Sequence, residues 1–104
     1  MSFPVGAHVN SPNPLDEARE LGVEVVQLVL GDPQSWKKPT FHQPGLREEA
    51  AAAGVQLFVH SPFIINVAST NNRIRVPSRR VLQQHVDAAA EIGARGIVVH
   101  GGHV

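Results

Sequence analysis

Three short apolar runs in this chain each end in a histidine: Phe3-Pro-Val-Gly-Ala-His8, Val55-Gln-Leu-Phe-Val-His60 and Gly96-Ile-Val-Val-His100. Imidazole is a good ligand for divalent metals and a versatile acid/base group. A β-branched run reads as a buried strand, and the carboxyl end of such a strand is where α/β folds build their sites. One histidine there is most often a hydrogen-bonded structural residue. Three at matching positions point to a shared site. A second chemical feature is Asn71-Asn-Arg73-Ile-Arg75-Val-Pro-Ser-Arg79-Arg80, with four arginines within eight residues. Guanidinium groups on the histidine face could reach phosphates, against the plainer reading of a solvated charge run. Arginine at a helix start also opposes the helix dipole unless an anion is bound nearby. His42 and His85, in a loop and on a helix, are read as solvent-facing or packing residues. His103 follows a Gly-Gly turn and is given no role.

These side chains need a frame, and the chain supplies strand and helix in alternation. Phe3 to Val9 reads as a strand, with Pro4 tolerable near its first residue. Asn13 is a candidate cap, Pro14 suits a first helical position, and Asp16 and Glu17 complement the amino-terminal dipole of a helix that Gly22 ends. Val23 to Leu30 is a second strand. A long loop, Gly31 to Gln43, holds the only Trp, and an Ala-rich helix from about Gly45 to Ala53 stops at Gly54. The third strand is Val55 to His60. A further loop, Ser61 to Pro77, leads to the longest helix, with Ser78 as its expected cap, Val81, Leu82, Val86, Ala89 and Ala90 as its inward face and Gly93 as its close. Gly96 to His100 is the fourth strand. Strand, helix and strand repeated in this way imply parallel pairing with right-handed crossovers.

Bulk properties narrow the classes. A chain of 104 residues, 42% hydrophobic and 17% charged, holds one domain with a core and is too short for two. Nine basic and nine acidic side chains cancel, so a nucleic-acid partner would have to be met by a local patch. With no cysteine, disulfides and thiolate ligands are excluded, leaving His, Asp and Glu. Neither a signal segment nor a membrane span is evident, which fits a cytoplasmic protein with no membrane partner. The sequence stops just past the fourth strand, whereas a complete parallel barrel of eight units needs about 250 residues. The expected fold class is therefore α/β, with about four strands forming the amino-terminal half of a TIM-type (β/α) barrel over residues 1–104. A small open four-stranded sheet is the alternative.

Val5-Gly-Ala-His8-Val9-Asn10, Phe58-Val-His60-Ser-Pro-Phe-Ile-Ile-Asn66-Val-Ala68 and Val99-His100-Gly-Gly-His103 resemble, in order and spacing, the successive amino-terminal motifs of the endonuclease IV family. Members are zinc-dependent apurinic/apyrimidinic endonucleases on a TIM barrel of the xylose isomerase-like kind. Gly31-Asp-Pro-Gln-Ser-Trp36 also resembles that family's first DNA-contacting loop. The resemblance implies that His60 and His100 ligate one zinc of a three-zinc cluster and that His8 supports the cluster from just outside it. It implies that Gln34, Trp36, Phe63 and Ile64 approach a flipped-out abasic nucleotide in double-stranded DNA, with Gln34 where other members have Arg and Phe63 where they have Tyr. Arg73 and Arg75 are the arginines expected nearest that DNA. The implied reaction is phosphodiester hydrolysis 5′ to an abasic site, leaving a 3′-hydroxyl, in DNA base excision repair.

The family's remaining ligands, carboxylates among them, come from later strands. Two neutral histidines alone make an open site, so these 104 residues by themselves are expected to hold zinc loosely and to cleave abasic DNA little or not at all. Two other readings stay open. One is a metal-dependent sugar isomerase or epimerase on the same barrel, which would need neither the Trp36 loop nor the arginine run. The other is a non-catalytic half-barrel that self-associates through its exposed sheet edges.

Overall fold

The computed structural model describes residues 5–9, 13–30, 36, 38–39, 45–62 and 64–100. Four strands, β1 (Gly6–His8), β2 (Val25–Leu28), β3 (Gln56–His60) and β4 (Gly96–Val98), alternate with three helices, α1 (Pro14–Leu21), α2 (Leu46–Ala53) and α3 (Asn72–Glu91). All three strand pairs are parallel and their spatial order is 1-2-3-4, the order of the sequence. This order decides the architecture. An open doubly wound sheet reverses its strand order and takes helices on both faces, whereas unidirectional right-handed crossovers put every helix on one side, as in a barrel wall.

Side chains alternate across the sheet, and the two faces differ sharply. Val26, Leu28, Leu57 and Val59 are buried and pack with Ala18, Leu46, Ala50 and Ala89 of the three helices, with Val9 and Leu30 in the same core. Removing a side chain such as Leu57 there would cost about 2–5 kcal/mol. On the other face Gly6, His8, Val25, Gln27, Phe58 and Val98 line an open hollow of ≈ 370 Å³. It corresponds to the inside of the barrel wall. Gly6 allows the closest approach between strands there: a Cβ on it would lie 2.7 Å from the Val25 carbonyl oxygen and 2.8 Å from the Val25 Cβ.

The short helices follow their sequence signals. α1 starts with Pro14 after Asn13, although Asn13 makes no side-chain cap hydrogen bond, and ends at Gly22; α2 ends at Gly54, whose φ of 72° favours glycine. The long helix departs from expectation. α3 is capped not by Ser78 but by Asn71, whose side chain accepts the Arg73 N–H at 2.9 Å, so the expected loop from Ser61 to Pro77 gives way to helix at Asn72. Pro77 lies inside α3 and has no N–H for the Arg73 carbonyl. The early start is held by other contacts. The Arg75 guanidinium donates to the Ser69 carbonyl and to the Asn72 side chain, and the buried Ser78 hydroxyl accepts the Asn66 N–H at 2.8 Å. Ser78 therefore ties the segment after β3 to the helix instead of starting it.

Candidate metal centre

His60 is the last residue of β3, and parallel pairing sets it beside Val98 of β4. The ladder continues one step further, with the Ser61 N–H donating to the Val98 carbonyl at 2.9 Å, which carries β4 on toward His100. Both histidines fall on the inner side of the wall, two residues beyond Phe58 and Val98 respectively. Their rings meet edge to face with centroids 4.9 Å apart, and their Nε2 atoms are 3.1 Å apart. The strand-end placement thus brings together two residues that lie forty positions apart in sequence.

The hydrogen bonds assign the lone pairs. His60 Nδ1–H donates to the Ser61 carbonyl at 2.6 Å, which in the neutral ring leaves Nε2 as the nitrogen that can ligate. His100 Nε2–H then donates to that nitrogen's lone pair, whereas the Nδ1–H tautomer of His100 would leave both Nε2 atoms able to ligate. Two nitrogens bound tetrahedrally to zinc at about 2.05 Å stand about 3.3 Å apart. The observed separation fits that geometry. The pair supplies only half a tetrahedron: among the described residues there is no group of three or more His, Cys, Asp or Glu placed to hold a metal. His60 and His100 fit zinc as part of a larger ligand set.

The other expected site residues are distributed more widely. His8 shares an inner-face row with Gln27 and Phe58, one step below His60, and the Gln27 side-chain amide donates to His8 Nδ1 at 3.0 Å. Gln27 was missed by sequence reasoning. Its signal was that it is the one polar residue in the apolar run Val25-Val-Gln-Leu28. Trp36 is exposed, outside any helix or strand, while Ile64 is half-buried in a turn before the buried Ile65. Gln34 and Phe63 lie outside the described residues, as do His42 and His103. His85 is a packing residue: it is buried, and its Nδ1 bonds to the Val81 carbonyl at 3.0 Å.

The arginine run proves to be entirely helical. Arg75 is half-buried and held by Ser69 and Asn72, whereas Arg73, Arg79 and Arg80 are exposed. α3 has no acidic residue in its first turn and no basic residue in its last, and its acids, Asp87 and Glu91, lie toward its carboxyl end. Its charge order runs against its dipole, at about 0.3–1 kcal/mol for each residue near a terminus.

A half-barrel of helices outside, a parallel wall inside and a metal-competent histidine pair at the strand ends define the class. Residues 15–104 match the family model of the xylose isomerase-like TIM barrel, and the chain belongs to that family. The chain is similar to proteins called "Probable endonuclease 4": it is 53% identical over 103 residues to that of Mycobacterium ulcerans (strain Agy99) and 52% identical to that of Mycobacterium leprae (strain TN). In each case the match covers 96% of this chain and 39% of the relative, so the chain spans about two-fifths of the curated relatives' length. The crystal structure of endonuclease IV from Thermus thermophilus superposes with a TM-score of 0.84 at 23% identity, covering 96% of this chain and 40% of that one. That match establishes the barrel fold.

Proposed function

We propose that the chain is the amino-terminal part of a zinc-dependent apurinic/apyrimidinic endonuclease that hydrolyses the phosphodiester 5′ to an abasic site and leaves a 3′-hydroxyl. The observation that carries this reading is the His60–His100 pair, with Nε2 atoms 3.1 Å apart and His60 Nδ1–H held by the Ser61 carbonyl. Similarity to endonuclease 4 proteins along 96% of the chain supports a nuclease over a sugar isomerase or epimerase on the same barrel.

Zinc held there, with ligands from the rest of the protein, would polarise the phosphate and activate water for attack. His60 and His100 would fix the position of that charge from the ends of two adjacent strands, whose pairing sets their separation more firmly than loops would. Ser61 orients His60 through its carbonyl. Gln27 holds His8 on the wall below the pair, within the hollow that faces the barrel axis. Trp36 and Ile64, with Gln34 and Phe63, are the residues to approach the lesion, where apolar and aromatic side chains offset lost base stacking.

The test uses the complete gene product, a duplex with one abasic site and a measurement of bound zinc. His60→Ala and His100→Ala should each lower zinc content and reduce nicking by about a hundredfold or more, since a lost ligand does at least what a lost supporting residue does. Undiminished nicking by the metal-stripped protein or by His60→Ala would sink the proposal.

A further inference from the structure

Arg73, Arg79 and Arg80 stand apart from the site just described. They are exposed on α3, and among the described residues none of the three side chains has an ion-pair or hydrogen-bond partner. The nearest acid along the helix, Asp87, accepts instead from Gln83, at 3.0 Å. Seven residues separate Arg73 from Arg80, which puts them within about 20° of each other around the helix and about 10 Å apart along it. Arg79 is also exposed, turned about 100° from Arg80 around the helix. The result is a cationic stripe that begins where α3 leaves the rim carrying the histidines and runs down the outer flank.

Local energetics give these residues no reason to be there. Arg73, in the first turn, meets the positive end of the helix dipole, and the acids of α3 that could have balanced the stripe stand at its other end. Arg75 shows the contrast, because its guanidinium is bound within the chain. A helix ordered against its own dipole, with its outward cations unpaired, is arranged for an external polyanion.

We propose that Arg73, Arg79 and Arg80 bind the phosphate backbone of duplex DNA outside the lesion, giving a sequence-independent contact along the flank of the barrel. The proposal rests on the nuclease reading for its choice of DNA over an acidic protein surface. Such contacts act by counterion release, so affinity falls with salt by a slope of about 0.9 per neutralised phosphate.

The test measures binding of the complete gene product to an undamaged duplex of about 20 base pairs, long enough to hold several phosphate contacts, over a range of salt concentrations. Arg79→Gln with Arg80→Gln should lower the slope by about two and weaken binding equally for unrelated sequences. Arg79→Lys with Arg80→Lys, which keeps the charge on the same helix, should retain the slope. An unchanged slope in the glutamine variant overturns the proposal and turns the stripe toward an acidic protein partner. So does the absence of duplex binding by the unsubstituted protein. Nicking of an abasic duplex, followed in the same preparations, reports on the His60–His100 reading separately, so either can fail without the other.

Discussion

Two serines illustrate how single residues of little apparent chemistry set the geometry of the candidate site. Ser61 fixes His60 through its backbone carbonyl, and Ser78 fixes the segment after β3 through its hydroxyl, which accepts the Asn66 N–H at 2.8 Å. Ser78 is fully buried, so removing its oxygen takes the acceptor from the half-buried Asn66 amide. Ser78→Ala is expected to destabilise the complete protein by about 1–3 kcal/mol in urea unfolding, with faster hydrogen exchange at the Asn66 amide than at α3 core amides. A variant with wild-type stability and unchanged Asn66 exchange would show that the bond contributes nothing. At this scale the histidines were legible in the sequence, because a polar residue ending an apolar run announces itself. The roles of Gln27 and Ser78 were not, since each depends on a partner distant in sequence: Gln27 meets His8 through strand pairing, and Ser78 meets Asn66 through the turn after β3.

Elements ended where glycine demanded it, and β1, β2 and β3 formed at their apolar runs, so their existence and order could be read from local pattern. α3 could not. Pro77 is read most directly as a break, because it removes a helical hydrogen bond and restricts the residue before it. The structure carries the helix through Pro77 by capping it at Asn71 and clamping its first turn with Arg75, contacts that no periodicity reveals. The position matters for function, since it moves Arg73 and Arg75 from the expected loop onto the same helix as Arg79 and Arg80. It also makes the cap a sensitive point. Asn71→Ala is expected to cost about 1 kcal/mol and to fray α3 up to Pro77, whereas Asn71→Ser or Asn71→Asp should retain most of that stability. Urea midpoints of the three variants, with helix content by circular dichroism, check this. Equal midpoints for Ala and Ser would mean that the cap hydrogen bond is not what starts the helix.

The whole molecule has one well-packed side and one open one. Its accessible surface is 6787 Å², whereas a compact monomer of 11.2 kDa exposes about 5,700 Å². Its radius of gyration is 14.5 Å against about 12.9 Å for a compact domain of this length. The inner sheet face contributes to the excess: Val25 and Phe58 are half-buried and Val98 is 42% exposed, between β1 and β4, which are the edges of the sheet. In a barrel, opposite strands cover such a face and close both edges. A polypeptide of residues 1–104 alone is therefore expected to self-associate. A two-fold pair would set β1 of one copy beside β4 of the other, close eight parallel strands and bury the two apolar faces together. Sedimentation at micromolar concentration should show dimers or larger species, and Val98→Glu, which places a charge on the inner face, should shift them toward monomer. A stable monomer for the unsubstituted polypeptide would overturn the expectation, and association unaffected by Val98→Glu would move the contact away from this face. Either result bears on the metal centre as well, because a two-fold barrel would present two His60–His100 pairs at the same end, and zinc bound per chain would register the difference.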